Sequence, residues 1–447
     1  GVNSLKYQDA GADAYNVAIG YNAGISTTTG HDNVIVGGSA GDALTTGADN
    51  VVIGKNALGA EDTGGRVVAI GKSALNAQNA GADSYNVAIG YEAGLTVSTG
   101  IKNVLVGGLA GDALTTGSSN IAIGYNALSA EVSTGKSVAI GHQALMAQTG
   151  GGADPLNVAV GYQAGAAVST GLYNTIIGGE AGKALTAAYS SVAIGAQALQ
   201  TEDDHSYNVA VGARALQTLN AGAHGYNVAV GYTAGTAMTT GTFNTIVGGV
   251  AGDGLTTGTG NTIMGHDAGD GITTEDDNTL IGQGAGNAVT SSENTFVGRR
   301  SGASATTGDA NVCIGSGSDV SAAAVANEVN IFNGSVTARF QGAAAAWSFV
   351  SDERDKKEIK DLELGVDFVN KLKPRKFKWD LRNSDVDKDK EASGFVAQEV
   401  QEILDQTDTN YTGIVDTNNP DQYTVAQANI VPILVKAVQE LSAEVKQ

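Results

Sequence analysis

The sequence predicts a mainly β protein in three parts: a β-solenoid of short repeats over residues 1–315, a β-rich junction over 316–350, and an α+β domain over 351–447 that ends in a coiled-coil helix. Two observations lead to this fold class. A glycine-ended motif recurs at nearly constant spacing through the first part, and only three of the 63 glycines lie after residue 350. This change of composition marks a domain boundary near residue 350.

Each repeat unit contains Asn or Ser, two or three small or β-branched residues, and then glycine, as in residues 16–20 (NVAIG). Most steps between these glycines are 17 residues, and the step after every fourth unit is longer over the first twelve. The glycines are Gly20, Gly37, Gly54, Gly71, Gly90, Gly107, Gly124, Gly141, Gly161, Gly178, Gly195, Gly212, Gly231, Gly248, Gly265, Gly282, Gly298 and Gly315. Their spacing predicts eighteen stacked units.

Within each unit we expect two short strands, the Val-Ala-Ile segment and a second one at positions such as 40–46 and 110–116. Glycine permits the turns at which a Cβ would clash. Alternation puts Val17 and Ile19 on one face of the coil, with the small Ala18 between them. The asparagines that precede the strands share one register, which predicts an internal ladder of side-chain amides. Cys313 occupies a repeated apolar position and is expected in the core.

A narrow coil with such small side chains has little core of its own, so we expect it to pack against two further copies of itself. The repeats resemble the heads of trimeric autotransporter adhesins, which also read Val-Ala-Ile-Gly. That resemblance implies a left-handed parallel β-roll and a homotrimer.

Three motifs follow the boundary: Ser-Asp-Glu-Arg-Asp-Lys-Lys-Glu-Ile at 351–359, LELGVDFVNKLKPRKFK at 362–378 and GFVAQEV at 394–400. In this order they resemble the endosialidase-type intramolecular chaperone, a self-cleaving peptidase S74 domain of phage tail fibres and spikes, over almost all of 351–447. The resemblance implies cleavage between Val350 and Ser351. It also implies that Ser351 and Lys356 are catalytic.

Asp352 and Arg354 match the same motif, and we interpret them as positioning residues. A serine hydroxyl attacks only after a base removes its proton, and a lysine acts as that base when burial or neighbouring cations lower its pKa. An acyl shift through Ser351 and an activated water are both open, and Ser351 or Asp352 could instead cap a helix. The predicted activity is one self-cleavage per chain, with no external substrate.

We expect a helix over residues 355–372 with a break at Gly365, a hairpin-like segment over 373–381, a helix over about 394–404, and a final helix from about residue 424 to the end. In the final helix, apolar residues recur at alternating steps of three and four, which is typical of a coiled-coil seam. They are Val431, Leu434, Val438, Leu441 and Val445. The junction over 327–350 is expected to form short strands around an Asn-Gly turn at Asn333 and Gly334.

Four tyrosines follow repeat glycines near the longer loops, at Tyr21, Tyr91, Tyr162 and Tyr232. Because sugars present flat apolar faces to aromatic rings, these are candidate receptor contacts. The alternative is that each ring covers the base of a loop. The longer loops span residues 9–15, 77–85, 147–156 and 217–226.

No metal or cofactor is predicted. Two acidic stretches at 202–204 and 275–277 lack the spaced ligands of a calcium loop and are expected to be solvated turns. The five histidines form no His-x-His pair and none adjoins the cysteine. The net charge of −21 argues against nucleic acid as a partner. The longest apolar runs fall short of about 18 residues, so no membrane insertion is expected.

Together these features predict the shaft of a trimeric phage tail fibre or spike for host attachment, located in the virion and matured by its own chaperone. The expected partners are its own copies and a host-cell surface receptor, for which a glycan is one candidate. Because the sequence begins at Gly1 rather than Met, we expect a missing N-terminal segment that contacts other virion tail proteins. The alternative is a trimeric adhesin with the same head repeats, extracellular or at a cell surface.

Overall fold

The computed structural model describes residues 1–332, 334, 337–341, 348–349, 356–378, 391–407, 413–417 and 423–446. The chain divides into two compact units, Gly1–Val350 and Ser351–Gln447. No helix within these described ranges has both the length and the apolar character needed to cross a bilayer.

The first unit is a parallel β-solenoid. Each rung contributes one short strand that pairs in parallel, residue for residue, with the strand of the next rung. The strands are β1 (Val17–Ile19), β2 (Val34–Val36), β3 (Val51–Ile53), β4 (Val68–Ile70), β5 (Val87–Ile89), β6 (Val104–Val106), β7 (Ile121–Ile123), β8 (Val138–Ile140), β9 (Val158–Val160), β10 (Thr175–Ile177), β11 (Val192–Ile194), β12 (Val209–Val211), β13 (Val228–Val230), β14 (Thr245–Val247), β15 (Thr262–Met264), β16 (Thr279–Ile281), β17 (Thr295–Val297), β18 (Val312–Ile314) and β19 (Glu328–Phe332).

The second strand expected in each unit does not form, and that prediction is wrong. Residues 40–46 and 110–116 follow a series of turns, because Gly41 and Gly111 adopt φ values of 50° and 55° that interrupt an extended chain. Rungs still meet through single backbone hydrogen bonds on this side. The N–H of Gly41, for example, donates to the carbonyl of Ala57 in the next rung at 2.9 Å.

The core runs along the inside of the coil. The middle residue of each strand points inward, so that Ile35, Val52 and Ala69 are fully buried, and Ala40 with its equivalents belongs to the same buried cluster. Cys313 is the middle residue of β18, which confirms its predicted place in the core. Burial there raises the pKa of its thiol to about 12.

The predicted asparagine ladder is confirmed. The side-chain oxygen of Asn33 accepts from both the backbone and the side-chain nitrogen of Asn50 at 3.0 Å, and Asn50 Oδ1 accepts from Val67 N in turn. Most amides of the ladder also donate to a turn carbonyl, as Asn50 does to Gly64 O at 3.3 Å. The ladder thus satisfies backbone groups that the turns leave buried.

The repeat glycines form a column in which backbones of successive rungs touch. Gly37 has φ of 140°, and a Cβ built there would lie 2.5 Å from the carbonyl oxygen of Gly54. Glycine is required here for two reasons: other residues rarely adopt this φ, and any Cβ would clash with the next rung.

The solenoid has one more rung than the glycine spacing predicts. Strand β19 lies in the expected junction, yet it pairs in parallel with β18 at the repeat register, Val312 opposite Val329. It then turns back into β20 (Thr337–Gln341), which pairs with β21 (Ser348–Phe349), both antiparallel. The predicted short strands are therefore present, and Asn333 of the predicted turn lies outside the described residues. Glu328 ends the ladder, and Arg339 Nε lies 3.0 Å from its carboxylate.

The second unit combines short helices and small sheets. Helix α1 (Val366–Val369) precedes β22 (Arg375–Lys378), which pairs with β23 (Glu391–Gly394), and helix α2 (Ala397–Leu404) follows. Strands β24 (Val415–Asp416) and β25 (Thr424–Val425) pair before helix α3 (Val431–Val445).

All three helix predictions for this unit were too long. Residues 356–365 are not helical: Leu364 is buried in the core, and Gly365, which precedes α1, has non-helical dihedral angles. The final helix begins at Val431 rather than near 424, since Thr424 and Val425 pair as a strand. Gly394 likewise belongs to β23, and α2 begins at Ala397.

Gly37→Ala tests the glycine column. We expect the substitution to lower the free energy of unfolding by about 2 kcal/mol or more, since a φ near 140° is costly for any residue with a side chain. The neighbouring Gly38→Ala is the matched control, because a Cβ at Gly38 meets nothing within 4 Å. Chemical unfolding of both variants measures the difference; equal midpoints would show that the column tolerates side chains.

Candidate functional site

The predicted cleavage residues Val350, Ser351, Asp352 and Arg354 lie outside the described residues. Lys356 is the first described residue of the second unit, and its side chain is exposed to solvent in the single chain. The catalytic and positioning roles of these residues therefore stay predictions, and the described geometry begins immediately after them.

The motifs downstream of Lys356 form the core of the second unit. Leu364 and Phe368 pack in one buried cluster with Val400 and Ile403 of α2 and with Ile433 of α3. The motifs at 362–378 and 394–400 thus both contribute apolar side chains to a single core. The motifs hold the unit together, and their apolar positions are explained by packing.

An ion pair joins β22 to α2. Arg375 Nε donates to Glu399 Oε2 at 3.0 Å and Arg375 Nη2 donates to Glu399 Oε1 at 2.5 Å. This two-point geometry lowers the pKa of the Glu399 carboxyl through the hydrogen bond from Arg375. The pair fixes the start of α2 over the small sheet, although its partial exposure limits what it adds to stability.

Glu440 of α3 caps the start of α1. Its Oε2 accepts from the backbone N–H of Val366 at 2.8 Å, and this bond lowers the pKa of the Glu440 carboxyl from its ordinary 4.5. A Cβ at Gly365 would lie 2.1 Å from that carboxylate, so a side chain at this position would displace the cap. Since the folded-state pKa is depressed, the contact stabilises the fold above pH 4.5 and is lost as pH falls through the folded pKa.

Helix α3 has two apolar faces. Ile433 and Ala437 are buried within the unit. The five predicted coiled-coil residues share the other face and are 43% to 86% exposed: Val431, Leu434, Val438, Leu441 and Val445. We call this the seam face. An apolar surface of this extent is costly to leave in water.

The solenoid carries a second exposed apolar surface. The first and third residues of its strands point away from the core, and we call their surface the outer strand face. Its most exposed members are 36% to 61% accessible: Val17, Ile19, Val34, Ile53, Ile89, Ile177, Val230, Met264, Ile314 and Ile331. The face runs from the first rung to the last, because the strands are in register.

The four predicted receptor tyrosines are all on the surface, 50% to 61% exposed. They are not equivalent. The ammonium of Lys72 lies 5.0 Å from the ring centre of Tyr91. Tyr162 stacks on His142 at 5.4 Å, and His142 stacks in turn on Tyr125 at 5.5 Å.

A second group of aromatic residues was missed from the sequence. Tyr207, Tyr226 and Phe243 stack on one another in three successive rungs, with ring centres 5.0 and 5.5 Å apart. All three have positive φ, from 49° to 66°. The signal was available, because each lies two residues before its strand, where Tyr15 and Tyr85 also occur.

Three buried glutamates were also missed. Glu61, Glu131 and Glu202 are fully buried four rungs apart, at a position where other rungs carry residues such as Leu44. The prediction that 202–204 is a solvated turn is therefore wrong for Glu202, and burial raises the pKa of that carboxyl. Their recurrence at steps of 70 and 71 residues was the signal.

The carboxylate of Glu131 shows how such a group is accommodated. It accepts from the backbone N–H groups of Val132 and Thr134 at 3.0 Å and from Gln148 Nε2 at 3.2 Å. Glu61 is bound in the same way by Gly64 N and Gln78 Nε2. Neutral donors thus satisfy both carboxylates.

Fold and surfaces together define a β-solenoid protein with a separately packed α+β unit at its C-terminal end. Residues 351–409 match the model of the Peptidase_S74 family, the chaperone of endosialidase. This confirms the resemblance drawn from the C-terminal motifs, although the match ends at residue 409 and the expected similarity reached almost to 447. No curated protein and no solved structure matches the chain.

Glu440→Ala tests the contact between α1 and α3. Without its acceptor, the Val366 amide should exchange with solvent faster, and the unit should be less stable near neutral pH, while the difference from the parent narrows in acid. Hydrogen exchange followed by mass spectrometry measures the effect. Glu444→Ala, an exposed change on the same helix, is the control; unchanged exchange at Val366 in Glu440→Ala would disprove the capping role.

Proposed function

We propose that this protein is the shaft of a trimeric phage tail fibre or spike that attaches to a host cell. Its C-terminal chaperone aligns three chains and then releases itself by cutting between Val350 and Ser351. The observation that carries the proposal is the outer strand face, an apolar surface along the solenoid that the described residues of its own chain leave exposed.

Self-association accounts for this face. Copies arranged around a rotation axis parallel to the solenoid would bury the outer strand faces against one another. In a closed ring every copy has this face covered. Burial of apolar surface contributes about 25 cal/mol per Å², so a face that extends over all rungs yields a large favourable term. The number three comes from the resemblance of both units to trimeric proteins.

Register is the main difficulty in assembling such a shaft. The strands are three residues long and alike from rung to rung, and the buried glutamates and longer loops repeat every four rungs. A slip of four rungs between chains would therefore preserve most contacts. A separate unit that aligns the chains at one end removes these misassembled alternatives.

The seam face of α3 is suited to that task. Helices from three copies can pack through Val431, Leu434, Val438, Leu441 and Val445 while Ile433 and Ala437 keep each helix attached to its own unit. Alignment then precedes closure of the shaft, and removal of the unit afterwards makes reopening kinetically slow.

The proposed cut needs side chains of this chain and one water molecule. The hydroxyl oxygen of Ser351 attacks the carbonyl carbon of Val350, the amide C–N bond breaks, and the freed amine takes the proton that Lys356 removed. Water then hydrolyses the resulting ester. A lysine needs a desolvated setting for this role; Lys356 is exposed in the single chain, so packing of the copies around the junction would couple cleavage to assembly.

The same proposal places host recognition on the solenoid surface. Tyr21, Tyr91, Tyr162 and Tyr232 offer exposed rings at intervals along the shaft, and a glycan is the receptor chemistry that such rings suit. Location in a virion and contact with other tail proteins belong to this proposal as well.

Cleavage is tested by expressing the parent and Ser351→Ala chains and measuring intact masses. The parent should yield a fragment that starts at Ser351, whereas Ser351→Ala should remain full length. Lys356→Gln should slow release at least about tenfold, as expected when a general base is removed.

Lys360→Gln is the matched control, since Lys360 is also an exposed lysine just after the cut but lies outside the motif. The autoproteolysis proposal is wrong if the parent chain stays full length once trimeric, or if Ser351→Ala is cut at the same rate.

Leu441→Asp tests the seam face. A charge at this position should prevent the three helices from packing, so the uncleaved Ser351→Ala background should shift from trimer to monomer in light scattering. Ser442→Asp, on the exposed surface of the same helix, should leave the trimer intact. A trimer of unchanged stability in Leu441→Asp would show that α3 does not align the chains.

A further inference from the structure

Four side chains converge at one turn of the solenoid. His205 Nδ1 lies 3.0 Å from Glu202 Oε1, 3.2 Å from Asp204 Oδ1 and 3.5 Å from Asp203 Oδ1. Ligand atoms of Glu202, Asp203 and His205 all lie within 4.8 Å of one another. Glu202 is fully buried and His205 is 19% exposed, so the group is open to solvent only on its aspartate side.

These separations suit a metal ion. Zinc binds imidazole nitrogen and carboxylate oxygen at about 2.0–2.2 Å, and in a tetrahedron this bond length places ligand atoms about 3.3–3.5 Å apart. The contacts at His205 Nδ1 already fall close to that spacing. Only small movements of the side chains would be needed to admit an ion.

Comparison with the two other buried glutamates, Glu61 and Glu131, shows that Glu202 lacks one of their hydrogen-bond partners. The turn around Glu131 is the equivalent of this turn, 71 residues earlier in the chain. In order, Glu131, Thr134, Ser137 and Gln148 correspond to Glu202, His205, Asn208 and Leu219. Gln148 Nε2 bridges Glu131 Oε2 and Ser137 Oγ, at 3.2 and 2.9 Å. Leu219 offers no such donor.

Loss of this bridge changes the partners of two buried groups. Glu202 accepts from Ala221 N, at 3.4 Å, and from both the ring and the backbone N–H of His205. Asn208, equivalent to Ser137, is fully buried, and its Nδ2 has no acceptor among the described residues. By that equivalence, the Asn208 amide faces the position where the glutamine bridge is missing.

The excess of negative charge at this turn also favours a bound cation. One imidazole cannot balance three carboxylates, and its single Nδ1–H cannot satisfy all the oxygens around it. A divalent cation would neutralise the buried carboxylate, and a water on that cation would accept from Asn208 Nδ2.

We propose that Glu202, Asp203 and His205 bind a divalent transition-metal ion of the zinc class, with a water in the fourth position hydrogen-bonded to Asn208. Asp204 lies close enough to replace that water or to orient the ion. The site takes the place of the glutamine bridge found at Glu61 and Glu131, so its role is to brace one turn of the solenoid. It is independent of the function proposed above.

Titration of the chelator-treated full chain with Zn²⁺ and with Mn²⁺ by calorimetry tests the proposal. We expect one ion per chain with Zn²⁺ and a higher melting temperature in its presence. His205→Gln should abolish binding at micromolar ion. His266→Gln is the matched control, because His266 pairs with a single exposed carboxylate, that of Asp267 at 2.9 Å, and its loss should leave Zn²⁺ binding unchanged.

Leu219→Gln gives an independent test that does not depend on removing a ligand. It restores the bridge of the other copies, so it should raise stability without metal and weaken Zn²⁺ binding by about tenfold or more. The proposal is overturned if the parent chain binds no ion at millimolar concentration, or if His205→Gln binds as tightly as the parent. Unchanged affinity in Leu219→Gln would overturn the assigned role.

Discussion

The solenoid depends on one constraint, the contact between glycine backbones of successive rungs. At Gly37 the turn requires a dihedral angle that side chains disfavour, and the carbonyl of Gly54 occupies the place of any Cβ. Rungs can then stack closely enough for each strand to pair with the next and for Asn33 and Asn50 to bond directly. The resulting coil is narrow, and its interior holds the middle residue of each strand together with buried alanines and leucines from the turns, such as Ala40 and Leu44.

That narrowness determines the outer surface. Only the middle residue of each strand fits inside, so residues such as Val17 and Ile19 remain outside as an apolar face. A face of this kind needs a partner, and identical copies supply one of matching length. Because the rungs are similar, pairing out of register costs little free energy. A separate unit that aligns the chains would solve this problem. The second unit has an exposed apolar helix face suited to that task, and its residues 351–409 match the chaperone of endosialidase.

Much of the fold could be predicted because it follows from local chemistry repeated in register. The period, the asparagine ladder and the place of Cys313 each come from a residue type recurring at one position. The second strand was predicted wrongly because Gly41 turns the chain in a segment that reads as strand. The helix expected before Gly365 failed because Leu364 enters a core built by distant residues, and Glu202 was misread because its burial depends on neighbouring rungs.

Native mass spectrometry of the unmodified protein tests the central claim most directly. The account requires three copies in one assembly, each either the 44.8 kDa chain or the part that precedes Ser351. A monomer at concentrations where the solenoid is folded would contradict it, since the outer strand face would then be stable in water without a partner.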